Sequence, residues 1–153
     1  MKRKEFAKDY EPKNASNLKV GIVVSSWNGD ITENLLAGAK GILRAWQVSE
    51  KNIHVLRVAG SFEIPYGCLT LIKKKKPDCL IALGCLIKGE TKHDEYIASA
   101  VSHALMRLSL DYAVPIGFGI ITANDLKQAR TRSSADTNKG TEAAIAALDL
   151  ALL

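Results

Sequence analysis

The 153-residue chain has few of the residues that build metal centres and disulfide frameworks, and it has no long apolar run. Its three cysteines, Cys68, Cys79 and Cys85, form no CxxC pair, and each lies in apolar sequence. The three histidines, His54, His93 and His103, do not stand at ligand spacing from them. Core thiols are therefore expected, with no metal and no cofactor. No apolar run approaches the ~20 residues of a membrane span, and the Met1-Lys2-Arg3-Lys4-Glu5 start lacks the ~7 to 15 residue apolar core of a secretory signal. The expectation is a cytoplasmic protein without a membrane partner. Anionic residues are in modest deficit, 16 against 21 cationic, for a net charge of +5. The cations gather in the first thirteen residues and in Lys73, Lys74, Lys75 and Lys76, which end an apolar stretch before Pro77. Lysines in a last helical turn complement the helix dipole, so a solvated helix end is favoured over a nucleic-acid surface. What is abundant is apolar sequence, 47% of the chain. At this length a single domain buries roughly 70% of the surface that its unfolded chain exposes.

Residues 1–17 are polar and carry Pro12, Asn14, Ser16 and Asn17, so they read as an N-terminal arm ahead of a domain over 18–153. From residue 18 to 25 a β-branched apolar run reads as a buried parallel strand. Ile31, Leu35, Leu36, Ala39, Ile42, Leu43 and Trp46 then recur at helical spacing. The unit repeats: strands over 53–58, 78–84 and 116–122, helices over 64–75 and about 94–111, and two closing helices near 125–132 and 138–152. This alternation predicts an α/β fold, a single-domain three-layer αβα sandwich around a four-stranded parallel sheet, with right-handed crossovers. The loops that follow the strands should converge where such sheets bind ligands, at the carboxyl ends of the strands.

Those loops carry unusual chemistry. Trp27 stands in a polar turn, free either to stack on a heteroaromatic ligand or to lid the core or an interface. Gly60-Ser61-Phe62-Glu63 offers bare backbone, a hydroxyl and a carboxylate suited to polyol or amino groups, although Ser61 and Glu63 equally suit the start of a helix. Residues 84–93 set two glycines, Thr91 and His93 ahead of a long helix, whose first amides suit an anion. This segment lacks the GxxxxGK[ST] spacing of a P-loop. His93 is read as a histidine outside regular structure, either a general acid/base beside that anion or an exposed residue without a role. Arg132 and Lys139, near Asn138 and Gly140, suit a phosphate or a surface ion pair.

Together these segments resemble the 6,7-dimethyl-8-ribityllumazine synthase family of riboflavin biosynthesis over residues 18–152. The marks are Ser26-Trp27-Asn28 with Ile31-Thr32 and residues 35–39; Gly60 to Pro65; Gly84 to His93; Pro115 to Gly119; Gln128-Ala129 followed by Arg132; and Asn138-Lys139-Gly140. The resemblance implies a flavodoxin-like fold and a transferase that needs neither metal nor organic cofactor. Its two substrates would be 5-amino-6-(D-ribitylamino)uracil and 3,4-dihydroxy-2-butanone 4-phosphate. By resemblance Trp27 stacks on the pyrimidine, and Ser61, Phe62 and Glu63 hold the ribityl chain. The backbone of Cys85, Leu86 and Ile87 reads the uracil edge, and Phe118 packs on it from a neighbouring subunit. Glu90 and Thr91 amides with Arg132 and Lys139 take the phosphate, and His93 moves protons.

The resemblance also implies a homopentamer with sites between subunits, in some members closed into a sixty-subunit icosahedral shell, with riboflavin synthase as a candidate partner. Residues 1–17 could add a strand to a neighbour's sheet. Three departures stand out. Asp94 replaces the usual aromatic residue, Lys88 stands where arginine is common, and the segment from Arg132 to Asn138 is one residue short. Arg132 rather than Arg130 is chosen for the clamp because it keeps the Gln-Ala-x-x-Arg spacing.

Overall fold

The computed structural model describes residues 10–153. Four strands, β1 (Val20–Ser25), β2 (Ile53–Val58), β3 (Cys79–Ile87) and β4 (Ile116–Ala123), form one sheet in the order β2-β1-β3-β4. Every pairing is parallel. The helices are α1 (Gly29–Ala45), α2 (Ile64–Lys75), α3 (His93–Tyr112), α4 (Leu126–Ser133) and α5 (Lys139–Ala151).

Alternation along each strand splits the core in two. Ile22 and Val24 of β1 and Ile81 and Leu83 of β3 face α1 and α5 in one apolar layer. Val23, Leu80 and Ala82 point the other way, onto Ile64, Cys68, Val101 and Leu105 of α2 and α3. This is the three-layer sandwich expected from the alternating pattern, and its strand order is consistent with the flavodoxin-like fold that the resemblance implies.

Several ends differ from the sequence reading, β1 beginning at Val20 rather than at residue 18, and two of the differences bear on the site. β3 continues past Gly84 to Ile87, because Cys85, Leu86 and Ile87 pair with Ile121, Thr122 and Ala123 of β4. These three residues are therefore strand and not loop. His93, expected in a loop, is the first residue of α3.

The described part of the N-terminal arm lies on the body of the domain. Ala15 is buried, and its N–H donates to the carbonyl of Trp46 at 2.8 Å. Lys13 pairs with Asp149 and stands 5.9 Å from the Trp46 ring. The expected strand exchange falls partly on residues 1–9, outside the described residues.

All three cysteines are buried and free. Burial pushes the Cys68 thiol up to about 12. Burial, with Asp78 adding, does the same to Cys79. Unfolding therefore releases protons once the pH passes 9.0, the ordinary thiol value, while the folded chain keeps them until about 12. Stability is fully present below pH 9.0 and lost as pH rises through that window. Each such thiol removes about 1.4 kcal/mol per pH unit there. The urea midpoint, followed from pH 7.5 to 11, is expected to stay level and then fall, with Cys68→Ala and Cys79→Ala together flattening the fall.

Candidate active site

The loops after β1, β2 and β3 meet at the carboxyl end of the sheet. The Ser26 N–H donates to the carbonyls of Val58 and Ala59 at 2.8 and 3.0 Å, and the Trp27 N–H donates to Ala59 at 3.0 Å. Asn28, in the left-handed region at φ 58°, sends its side-chain amide to the carbonyl of Cys85 at 3.1 Å. An Asn-Gly pair at a helix start is the sequence sign of such a turn.

Trp27 does not lid the core: it is 66% exposed. A Cβ on Gly60 would lie 2.6 Å from the indole Cε3 and 3.1 Å from Glu63 Oε2, so ring and carboxylate gather over bare backbone. Glu63 is fixed there by the Gly60 N–H, which donates to Oε2 at 3.0 Å. Ser61 does not cap α2. Its Oγ is buried without a hydrogen-bond partner among the described residues, as is that of Ser25. Both hydroxyls flank Gly84, whose added Cβ would fall 2.6 Å from Ser61 Oγ and 3.3 Å from Ser25 Oγ.

This end of the sheet owes a second feature to strand lengths. β1 pairs with β3 only as far as Val24 opposite Leu83, whereas β3 runs on to Ile87 beside β4. From Gly84 to Ile87 the strand thus has a ladder on one side and no strand partner on the side next to the β1–α1 turn, where the Asn28 amide donates to the Cys85 carbonyl and the rest of the edge stays open. Open strand edges present donors and acceptors in a fixed row, which suits the rim of a planar heterocycle. The Cys85 thiol does not compete for a role, since burial, with Asp30 adding, pushes it up to about 11 and keeps it protonated.

Phe62 is exposed and lines a different cavity of about 570 Å³ between α2 and α3, with Tyr66, Val101, Leu108 and Tyr112. Glu90 and Thr91 are exposed in the turn after β3, and the His93 N–H donates to Thr91 Oγ1 at 3.4 Å. His93 is itself exposed at the first turn of α3. The Asp94 Oδ1 beside it is buried without a partner among the described residues.

Arg132 and Lys139 line one recess of about 350 Å³ with Gln128 and Glu142, and Phe118 borders an adjoining one on the free edge of β4 with the same two cations. Arg130 leans instead to Asp30, at 4.0 Å. The short segment after Arg132 is stitched down: Ser134 Oγ donates to the Thr131 carbonyl at 2.8 Å, and the Thr137 N–H to Ser134 at 3.1 Å. Its shortness leaves Arg132 and Lys139 on the same recess. Neither recess includes Trp27, Ser61 or Glu63, and β4 lies two strands from β1 across the sheet.

A parallel sheet with an indole, a carboxylate and a partly open strand edge at its carboxyl end, and a recess lined by Arg132 and Lys139 on its flank, has the form of a ligand-binding α/β enzyme. Residues 17–153 match the family model of 6,7-dimethyl-8-ribityllumazine synthase. Proteins of that name from Parabacteroides distasonis and Phocaeicola vulgatus are 41% identical over 137 residues and 40% over 138, covering 89% and 90% of this chain and 86% and 82% of theirs. One from Kosmotoga olearia is 42% identical over 137 residues, covering 89% of this chain and 88% of its own. The chain belongs to the 6,7-dimethyl-8-ribityllumazine synthase family, transferases of riboflavin biosynthesis.

Proposed function

We propose that the chain condenses 5-amino-6-(D-ribitylamino)uracil with 3,4-dihydroxy-2-butanone 4-phosphate to give 6,7-dimethyl-8-ribityllumazine, phosphate and water. The observation that carries the reading is the pairing of an open β3 edge near Trp27 with a separate arginine–lysine recess. Trp27 stacks on the pyrimidine, and the backbone of Cys85, Leu86 and Ile87 meets its polar rim. Ser61 and Glu63 take ribityl hydroxyls, a role that suits a buried hydroxyl lacking a partner. Phe62 bounds that end through its backbone, since its side chain faces the α2–α3 cavity. Arg132 and Lys139, with the Glu90 and Thr91 amides, hold the phosphate, and Phe118 covers the ring. His93 carries protons as the amine adds to the carbonyl and water leaves, phosphate is eliminated, and the second nitrogen closes the ring onto the carbonyl so formed with loss of a second water.

Because the two groups of residues line separate surfaces, we infer that the Trp27 group of one chain is completed by the Phe118, Arg132 and Lys139 group of a second copy. The assembly read from the resemblance is a cytoplasmic homopentamer, and particle size in solution distinguishes it from a sixty-subunit shell.

The reading is tested by mixing the purified protein with both substrates and following lumazine absorbance and fluorescence against the spontaneous condensation. Acceleration supports it; a folded, assembled protein that leaves the rate unchanged overturns it. Loss of the Arg132 guanidinium removes charge-assisted bonds to phosphate. Arg132→Ala is therefore expected to raise KM for the butanone phosphate roughly 10- to 100-fold, leaving KM for the pyrimidine near its starting value. Initial rates with each substrate varied in turn check this.

A further inference from the structure

Gln128 has no role in the account above, yet it holds the arginine of the recess. Its Oε1 accepts two hydrogen bonds, from the backbone N–H of Asn124 at 2.8 Å and from Nη1 of Arg132 at 3.0 Å. Its own backbone N–H donates to Oδ1 of Asp125, the N-cap of α4, at 2.8 Å. The Gln-Ala-x-x-Arg spacing thus has a physical meaning: residues four apart share one face of a helix, and here the first tethers the second to the end of β4.

The chemistry of the partner matters as much as its position. Two of the cations nearby face carboxylates, Lys139 with Glu142 at 2.6 Å and Arg130 with Asp30 at 4.0 Å, while Lys127 also lines the recess. Among the described residues no carboxylate pairs with Arg132. Its hydrogen-bond partner is a neutral amide oxygen that engages one of the five guanidinium N–H donors without forming an ion pair, although Asp125 and Glu142 line the same recess. A glutamate at 128 would make a stronger bond to Arg132, but it would cancel the field an incoming dianion needs.

We propose that Gln128 is a positioning residue for the phosphate-bearing substrate: it fixes the direction of the Arg132 guanidinium without neutralising it. The inference rests on the reading of this recess as the phosphate subsite, and the test separates the two. Gln128→Glu keeps an acceptor for both the Asn124 N–H and Arg132, so it preserves the fold of the turn; Gln128→Met keeps the length and removes the acceptor. Inhibition by inorganic phosphate and KM for each substrate are measured for both, beside Arg132→Ala and the parent protein.

The expected result is a phosphate inhibition constant and a butanone phosphate KM raised about tenfold in Gln128→Glu and about three- to fivefold in Gln128→Met. KM for the pyrimidine stays unchanged in both. A merely structural role predicts the opposite order, with Gln128→Glu at parent values and only Gln128→Met impaired. That order, or parent values in both while Arg132→Ala is impaired, overturns the inference and leaves the subsite reading standing. Parent phosphate inhibition in Arg132→Ala itself overturns both.

Discussion

A His93→Ala protein is expected to turn over about 10²- to 10⁴-fold more slowly than the parent, yet still faster than the two substrates condense unaided. A positioned imidazole supplies proton transfer and nothing else. Holding two small reactants in register is worth up to about 7 to 11 kcal/mol in ideal cases, and this part of the acceleration belongs to other groups. Those groups include Trp27, the open side of β3 and the Arg132 recess, and none of them rests on His93, which is exposed at the start of α3. The variant should fold and assemble as the parent does. Its turnover at saturating concentrations of both substrates, set against the protein-free rate, is the measurement. A folded His93→Ala protein that merely matches the protein-free rate would contradict this division of labour.

The second large effect concerns stability. Asn138 is buried between α4 and α5, and all of its hydrogen-bonding capacity is in use. Nδ2 donates to the carbonyls of Asn34 and Ser133 at 2.9 and 3.0 Å. Oδ1 accepts from the N–H groups of Gly140 and Thr141 at 2.8 and 3.3 Å, capping α5. The amide fits because Gly38 has no side chain; a Cβ there would lie 2.5 Å from its Cγ.

Asn138→Ala loses the cap, worth about 1 kcal/mol, and strands buried carbonyls at about 1 to 3 kcal/mol more. A total near 3 kcal/mol lowers the unfolding midpoint by about 6 to 12 °C in a chain of this size. Asn138→Asp discriminates between the two roles. Aspartate is as good a helix cap as asparagine, so a capping role alone predicts no loss. Carboxylate oxygen set against the Asn34 and Ser133 carbonyls predicts a drop comparable to that of Asn138→Ala. Thermal unfolding of both at one protein concentration decides.

The sequence announces some of this structure better than the rest. The strand over 53–58 and the helix over 64–75 were legible end to end, because turn residues and Pro77 bound them on the chain itself. β3 was read too short. Gly84 and the polar residues after Ile87 suggested an early end, but the length of a parallel strand is set by its neighbour, here β4, which is distant in sequence.

Site residues divide in the same way. The exposure of Trp27 is not legible in the sequence, since no apolar period surrounds it; in the fold the ring is exposed, with one edge close over the bare backbone of Gly60. The Gln128–Arg132 pair was visible as spacing, though only the fold reveals that its oxygen also reaches Asn124. That Phe118 shares its surface with Arg132 and Lys139 could not be read locally, because it follows from β4 being the last strand of the sheet.

β3 stands between the two groups of ligand-facing residues and separates β4 from β1. On the proposed arrangement, each chain therefore contributes half of one site and half of another, and fitness is not the property of a single molecule. A defect inherited on one copy disables a neighbour whose own sequence is sound. Conversely, two copies defective in different halves can meet to make a sound site, so selection on this fold acts on the population of chains that assemble together.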